Sequence, residues 1–297
     1  MSNASPTDRV VSLSASPVHV IGAGGRSGAA LCRALMARNI PVIAIARNAA
    51  RFEASGLPLT PRIADLTGSQ TRLAEVLADA ERVVCTAHAR NIPALLTALK
   101  PDVPLIALGS TRRFTRWPDE HGNGVMAGER ALFNSGRPGM ILHPTRIYGT
   151  QGEDNVQRLA TLLRKLPIVP LPGGGKALVQ PIHQDDVTNA LLAALSLRLT
   201  GPESLIVAGP EAVTYRDFIA LVAKAAGIRP RPVISLPAPV LMTAGAATRY
   251  LPRIPSIAPT EIRRLLEDKA FDITPMENRL GLKSRSLEAG LIQLFRD

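Results

Sequence analysis

The chain has 297 residues, 46% hydrophobic, 20% charged and 3% aromatic, with a formal net charge of +11. That length supplies one large domain or two modest ones with a sizeable core, and the lack of any period or heptad excludes collagen-like, coiled-coil and wholly disordered chains. No run of about 18 uncharged apolar residues reads as a membrane span, and residues 1–17, rich in Ser, Ala and Pro, lack the basic start and apolar stretch of a secretory leader.

In chain order, Val18–Ile21 is a short β-rich run that ends in glycines. Residues 26–38 carry Ala29, Ala30, Leu31, Ala34 and Leu35 at helical spacing. The run PVIAIA (41–46) is continuously apolar, as buried parallel strands are. A third strand is expected at Arg62–Ala64, a helix capped by Ser69 to about Asp79, and a fourth strand at Val83–Thr86. A helix at Pro93–Lys100 and a fifth strand at Leu105–Leu108 follow, then an arginine-rich loop, a helix at Met126–Asn134 and a sixth strand at Met140–His143. This alternation is the signature of βαβ units and a parallel sheet.

The second half reads differently. Leu159–Leu166 has a helical pattern, and PIVPLPGGGK (167–176) is expected to be a loop without regular structure. Its glycines lack the GxxxxGK[ST] order and the strand-to-helix context of a phosphate loop. Asp186 is expected to cap a helix through Leu197, Ser204–Ala208 to form a strand, and Thr214 with Asp217 to open a helix at Tyr215–Ala226. Further helices are expected at Thr260–Asp268 and Ser286–Phe295.

After the first strand stands Gly22-Ala23-Gly24-Gly25-Arg26-Ser27-Gly28. Gly22, Gly25 and Gly28 meet a GxxGxxG spacing, which permits a tight strand-to-helix turn and close approach of backbone N–H groups to a pyrophosphate. The chain resembles the extended and atypical short-chain dehydrogenase/reductase family, whose epimerase/dehydratase-like members are similar in this turn. The likeness extends to Asp65-Leu66, Gly109-Ser110-Thr111, HPTRIYG (143–149), PIHQDDV (181–187) and AGPEAVTYRDF (208–218), in the family's order. It implies an α/β fold: a Rossmann-type, doubly wound parallel sheet with a smaller C-terminal substrate lobe. Residues 18–150 would be the NAD(P)-binding core and 151–297 the lobe with returning core elements, after a loose tail at 1–17. The resemblance places Gly22, Gly24, Gly25, Arg26, Ser27 and Gly28 at the pyrophosphate, and Thr86 and Ala87 beside the cofactor. It puts Asp65 and Leu66 at the adenine, and Pro144 and Thr145 beside the nicotinamide. Arg112, Arg113, Arg146 and His183 are the candidates for an anionic substrate.

Hydride-transferring members of this family use a Tyr-x-x-x-Lys pair. Here Tyr148, Tyr215 and Tyr250 are followed four residues later by Gly152, Ile219 and Ile254, so the pair is absent. Counting back from Glu129 puts Val125 at the lysine position and His121 at the tyrosine position. His121 is either a proton-transfer group, since imidazole titrates near neutrality, or an ordinary loop histidine. The readings that remain are an NAD(P)-dependent oxidoreductase or epimerase-like enzyme using Ser110, Thr111 and His121, and a non-catalytic NADP(H)-binding sensor or accessory protein. The superfamily contains redox-sensing regulators and an accessory subunit of respiratory complex I.

Cofactor choice turns on the end of the second strand, where Arg47-Asn48 stand in place of the carboxylate that binds the ribose of NAD. A guanidinium pairs with a 2′-phosphate, so NADP is expected ahead of NAD. All but six of the 35 basic residues are arginines, dispersed rather than clustered. With few stacking aromatics this argues against nucleic acid as a partner and fits a small phosphorylated or anionic substrate, while peripheral contact with an anionic membrane stays open. Cys32 and Cys85 lack metal-ligand spacing and are expected to be buried thiols of a cytoplasmic protein, with no metal.

Overall fold

Residues 16–149, 155–247 and 258–296 are described in a computed structural model of the chain; the expected tail falls almost wholly outside them. The first half alternates β1 (Val18–Ile21), α1 (Arg26–Met36), β2 (Val42–Ala46), α2 (Ala49–Glu53), β3 (Arg62–Ile63), α3 (Gln70–Val76), β4 (Val83–Cys85), α4 (Ile92–Ala98), β5 (Leu105–Leu108), α5 (Glu120–Ser135) and β6 (Gly139–Pro144). The second half contributes β7 (Ile147–Tyr148), α6 (Asn155–Lys165), β8 (Val169–Pro172), β9 (Leu178–Val179), β10 (Ile182–His183), α7 (Gln184–Leu195) and β11 (Pro202–Val207). It ends with β12 (Val213–Thr214), α8 (Tyr215–Ala225), β13 (Val233–Leu236), α9 (Ala238–Ala247), α10 (Pro259–Arg264), α11 (Thr274–Leu280) and α12 (Leu287–Arg296).

Seven strands form one sheet in the order β11-β6-β5-β4-β1-β2-β3, every neighbouring pair parallel. This is the Rossmann-like sheet expected. β1, β4, β5 and β6 are buried along their whole length, which is why they read as unbroken apolar runs. Leu73, Val76, Ile92, Leu95, Val125 and Leu132 from α3, α4 and α5 pack with Ile21, Val83, Cys85 and Leu105 of the strands. Strand order reverses between β1 and β4, and the crevice at the carboxyl ends of those strands is where open α/β sheets hold ligands.

The chain divides into two interleaved compact units. The first holds the described residues up to Pro144 with Asp185–Val207 and Thr274–Leu282; the second holds Thr145–Gln184, Ala208–Ile273 and the segment from Lys283. The second unit has its own core, in which Tyr148, Val156, Leu163, Val169, Leu171, Phe218, Val222 and Leu291 meet. Its strands form two-stranded pairs: β10 with β7, β12 with β9 and β13 with β8.

Three expectations are corrected. Val169–Pro172, expected to be loop, is β8, paired in parallel with β13. A two-stranded sheet leaves each strand an outer edge, where prolines 170 and 172 sacrifice no ladder bond. Asp186 lies inside the first turn of α7, which begins at Gln184, so its carboxylate meets the helix dipole rather than capping the chain. α5 starts six residues earlier than expected, at Glu120, capped by Asp119, whose side chain accepts from the Gly122 N–H at 2.7 Å. Both cysteines are buried as expected, and burial pushes each thiol up to about 12. Among the described residues no helix is long and apolar enough to cross a membrane.

Candidate functional site

The turn after β1 is built from backbone. Gly22 sits at φ +80°, which an L side chain rarely tolerates, and the N–H groups of Gly22 and Ala23 donate to the Ile45 carbonyl at 3.0 and 3.2 Å. The Thr86 hydroxyl, at the end of β4, donates to the Ile21 carbonyl at 3.0 Å and lies 3.3 Å from that of Gly22. Gly25 precedes α1 without any side-chain cap, and the first turn of α1 holds no acidic residue. The leading N–H groups of that helix therefore face an anion-ready space.

This turn lines a cavity of about 390 Å³ with Arg47, Asn48, Arg51, Asp65 and Leu66, and with Thr86, Ala87 and His88 from the end of β4. Asn48 caps α2, its Oδ1 accepting from the Arg51 N–H at 2.9 Å, so α2 carries Arg51 onto the same wall as Arg47. Asp65 Oδ1 accepts from both the backbone N–H and the hydroxyl of Thr67, each at 2.9 Å. Those two bonds, with a smaller contribution from Arg47, hold the Asp65 carboxyl below the usual carboxylate range. Asp65 is the one carboxylate on the described wall, and the Asp65 turn thus both closes the loop after β3 and faces the cavity.

The loop after β5 is tied to β6. The Ser110 N–H donates to His143 Nδ1 at 3.1 Å, and Ser110 Oγ accepts from the Arg112 N–H at 3.2 Å. The buried Thr111 hydroxyl donates to the Pro144 carbonyl at 3.3 Å. Arg112 pairs with Asp119, and Arg113 stacks on Phe114 and pairs with Glu129 at 2.5 Å. Burial pushes the Glu129 carboxyl up, but hydrogen bonds from His143 and Ser204 and the Arg113 charge outweigh it and leave the carboxyl below its ordinary value. The charges of Arg112 and Arg113 are thus met inside their own unit.

His121 stands in the first turn of α5, and Val125, one turn on, is 1% exposed in the core. The His121 ring meets His88 edge to face, centroids 4.3 Å apart. His88 was not anticipated from the sequence. Its Nδ1 accepts from the Arg90 N–H at 3.0 Å, which puts the proton of the neutral ring on Nε2. That Nε2 is buried and has no partner among the described residues. Burial, followed by the charges of His121, Arg90 and Arg112, pushes His88 down to about 4. Since the unfolded chain protonates this group near 6.5, its contribution to stability is whole above that pH and declines as pH falls from 6.5 toward 4. NMR titration of the His88 ring should give a midpoint near 4; a midpoint near 6.5 would contradict this packing.

In the second unit Thr145 is buried, and its hydroxyl has no partner among the described residues. His183 is 3% exposed and packs edge to face on Tyr148, centroids 5.2 Å apart. A Cβ on Gly149 would come within 2.1 Å of His183 Nε2, so this ring is enclosed.

Residues 22–108 match a protein-family model described as NAD(P)H-binding. No curated protein matches the chain. Among solved structures, the UDP-glucuronic acid 4-epimerase of Bacillus cereus in complex with UDP-glucuronic acid and NAD superposes with TM-score 0.70 at 18% identity, covering 95% of this chain and 98% of that one. The UDP-glucose 4-epimerase of Thermotoga maritima with UDP-glucose gives 0.71 at 16% identity, covering 95% and 98%. MoeE5 in complex with UDP-glucose and NAD gives 0.69 at 19% identity, covering 95% and 98%. The protein therefore has the fold of these epimerases, and the portion that matches the NAD(P)H-binding family contains the glycine turn and, Ile21 apart, the wall of the 390 Å³ cavity.

Proposed function

We propose that the protein is an NADP(H)-dependent oxidoreductase or epimerase-like enzyme acting on a small-molecule substrate. The observation that carries this reading is the cavity at the glycine turn, whose far wall is cationic through Arg47 and Arg51. The N-terminus of α1, which no side chain caps and which Arg26 and Ser27 open, would hold the pyrophosphate. Arg47 and Arg51 would meet a 2′-phosphate, Leu66 would pack on the adenine, and Asp65 would accept from its amine through the oxygen Thr67 leaves. Pro144 and Thr145, the latter with its unpartnered hydroxyl, would border the nicotinamide.

A bound nicotinamide dinucleotide supplies hydride transfer. The chain itself orients and moves the proton: Ser110, anchored through His143 and the Arg112 N–H, holds the reacting oxygen, and His121 exchanges its proton. His88, kept neutral by burial and by neighbouring positive charge, lets His121 carry a proton without a second imidazolium against it.

One observation favours the alternative of a cofactor-binding sensor or accessory protein: Val125 lies in the hydrophobic core where the resemblance places the lysine. NADPH titration followed by absorbance at 340 nm across a carbonyl panel separates the two. The enzyme reading expects turnover, and His121→Phe should lower it by about 10²-fold or more, the size of a general acid–base contribution. Binding without net NADPH oxidation on any carbonyl, together with no conversion of any substrate by an assay that detects epimers, would favour the sensor.

A further inference from the structure

Glu129 stands on the buried face of α5, one turn beyond Val125 and one turn before Leu132, and is 7% exposed. A carboxylate there must find its partners inside the protein. Its Oε1 meets two of them: Arg113 Nη1 donates at 2.5 Å, and His143 Nε2 stands at 3.4 Å. Ser204 on β11 adds a hydrogen bond. The His143 ring is fully buried, and its Nδ1 accepts the Ser110 N–H at 3.1 Å. The ring proton therefore sits on Nε2, the nitrogen on the Glu129 side. A Cβ on Gly109 would come within 2.3 Å of Nδ1, so backbone closes the other side of the ring. The Arg113 N–H donates to the Ser110 carbonyl at 3.2 Å. That bond completes a circuit in which one carboxylate oxygen holds both ends of the turn from Ser110 to Arg113. Every member of the circuit lies in the first unit.

The same helix carries His121, eight residues before Glu129, which is about 12 Å along the helix axis. We propose that Glu129 is a positioning residue: through the His143 ring it fixes the backbone of Ser110, and with it the hydroxyl, against the helix that bears His121. A carboxylate beside the Nε2 proton fixes the tautomer and makes Nδ1 the stronger acceptor for the Ser110 N–H. Ser110 Oγ in turn accepts from the Arg112 N–H at 3.2 Å, so the hydroxyl keeps its hydrogen for another acceptor. A largely buried ion pair adds little net stability over an apolar replacement; what this one contributes is a fixed ring and a fixed turn. The catalytic consequence rests on the proposed enzyme reading of Ser110 and His121, whereas the fixing of Ser110 does not.

The test compares the full chain with Glu129→Gln, His143→Gln and the double variant. Glutamine at 129 keeps the length and an acceptor oxygen but removes the charge. Hydrogen exchange of the Ser110 amide, followed by NMR relative to the amides of β5 so that a general loss of stability does not count, should be about tenfold or more faster in Glu129→Gln. NADPH affinity by calorimetry should be unchanged. On the substrate converted best, kcat should fall by about tenfold with KM unchanged. The double variant should be no slower than the slower single, because both residues act through one linkage. Unchanged Ser110 exchange in a folded Glu129→Gln variant, or losses in kcat that multiply in the double variant, would overturn the proposal. Should the variants not fold, the wild-type ring decides: ¹⁵N shifts that place the His143 proton on Nε2, with the Ser110 amide protected, support the proposal, and a proton on Nδ1 overturns it. If no substrate is converted and Glu129→Gln still loosens Ser110, the enzyme reading falls and the positioning stands.

Discussion

Gly28→Ala is expected to destabilise the first unit and abolish dinucleotide binding. A Cβ at this position would lie 2.2 Å from the Gly22 carbonyl oxygen and 2.8 Å from Thr86 Oγ1. Neither atom can yield cheaply: the Gly22 oxygen accepts the Gly25 N–H at 2.8 Å, and Thr86 Oγ1 ties the turn to β4. The helix must move off the strand or the turn must open. Overpacking of this kind costs about 3 kcal/mol or more, which in a domain of this size lowers Tm by roughly 6–12 °C. Gly25→Ala is the control. That residue has an ordinary φ of −85°, and its Cβ would meet one atom, the Gly22 oxygen, at 3.2 Å. It should fold with Tm nearly unchanged and lose affinity by about tenfold, because a methyl group would intrude where a pyrophosphate would approach the backbone. Thermal melts with NADPH titration check both; a stable Gly28→Ala variant that binds normally would disprove the packing described.

The glycine turn and the helix caps were legible because their geometry is local. The GxxGxxG turn is a statement about φ angles and close approach, which neighbouring residues settle by themselves. The Ser69 cap, accepting from the Arg72 N–H, and the Thr214 cap, accepting from the Asp217 N–H, are equally local. β5 coincides with the expected run, since continuous apolar residues between turn signals leave few alternatives. What escaped depends on distant partners. β8 and β13 are strands only by pairing with each other across about sixty residues of chain, and Pro170 and Pro172 disguised the first of them. The early turns of α5 were hidden by Gly122 and Gly124, since glycine is a poor helix former. They are there for contact: a Cβ at Gly122 would fall 2.7 Å from the Arg112 carbonyl oxygen and one at Gly124 2.9 Å from the His88 ring. α9 carries no amphipathic stripe to read. In the site itself, Arg112 and Arg113 looked like free cations because the carboxylates that meet them are separated from them in sequence. His88 carried a usable signal. It follows β4 by three residues, at the carboxyl end of the strand beside β1 where this fold holds ligands.

Arg47→Ala is expected to remove the preference for NADP over NAD. β2 ends at Ala46, buried beside β1, and delivers Arg47 into solvent at the mouth of the cavity, with Arg51 brought to the same wall by the Asn48 cap. A carboxylate in this place would accept from a ribose hydroxyl and repel a phosphate; a guanidinium reverses both preferences. Such a pairing would be charge-assisted and contribute about 1.5–3 kcal/mol, so NADP affinity should fall by roughly 10- to 150-fold while that of NAD stays nearly the same. Arg51→Ala should act in the same direction, and the double variant should fall short of the sum, because two cations sharing one phosphate are coupled. Both arginines are exposed, so the wild-type ratio of affinities should shrink as salt is raised from about 0.01 M, where the screening length is about 30 Å, to about 1 M, where it is about 3 Å. Salt separates this mechanism from a steric one: a ratio that survives high salt would mean that cavity shape, not charge, selects the cofactor. Equal binding of NAD and NADP by the wild-type protein would mean that Arg47 is only a solvated residue at a strand end.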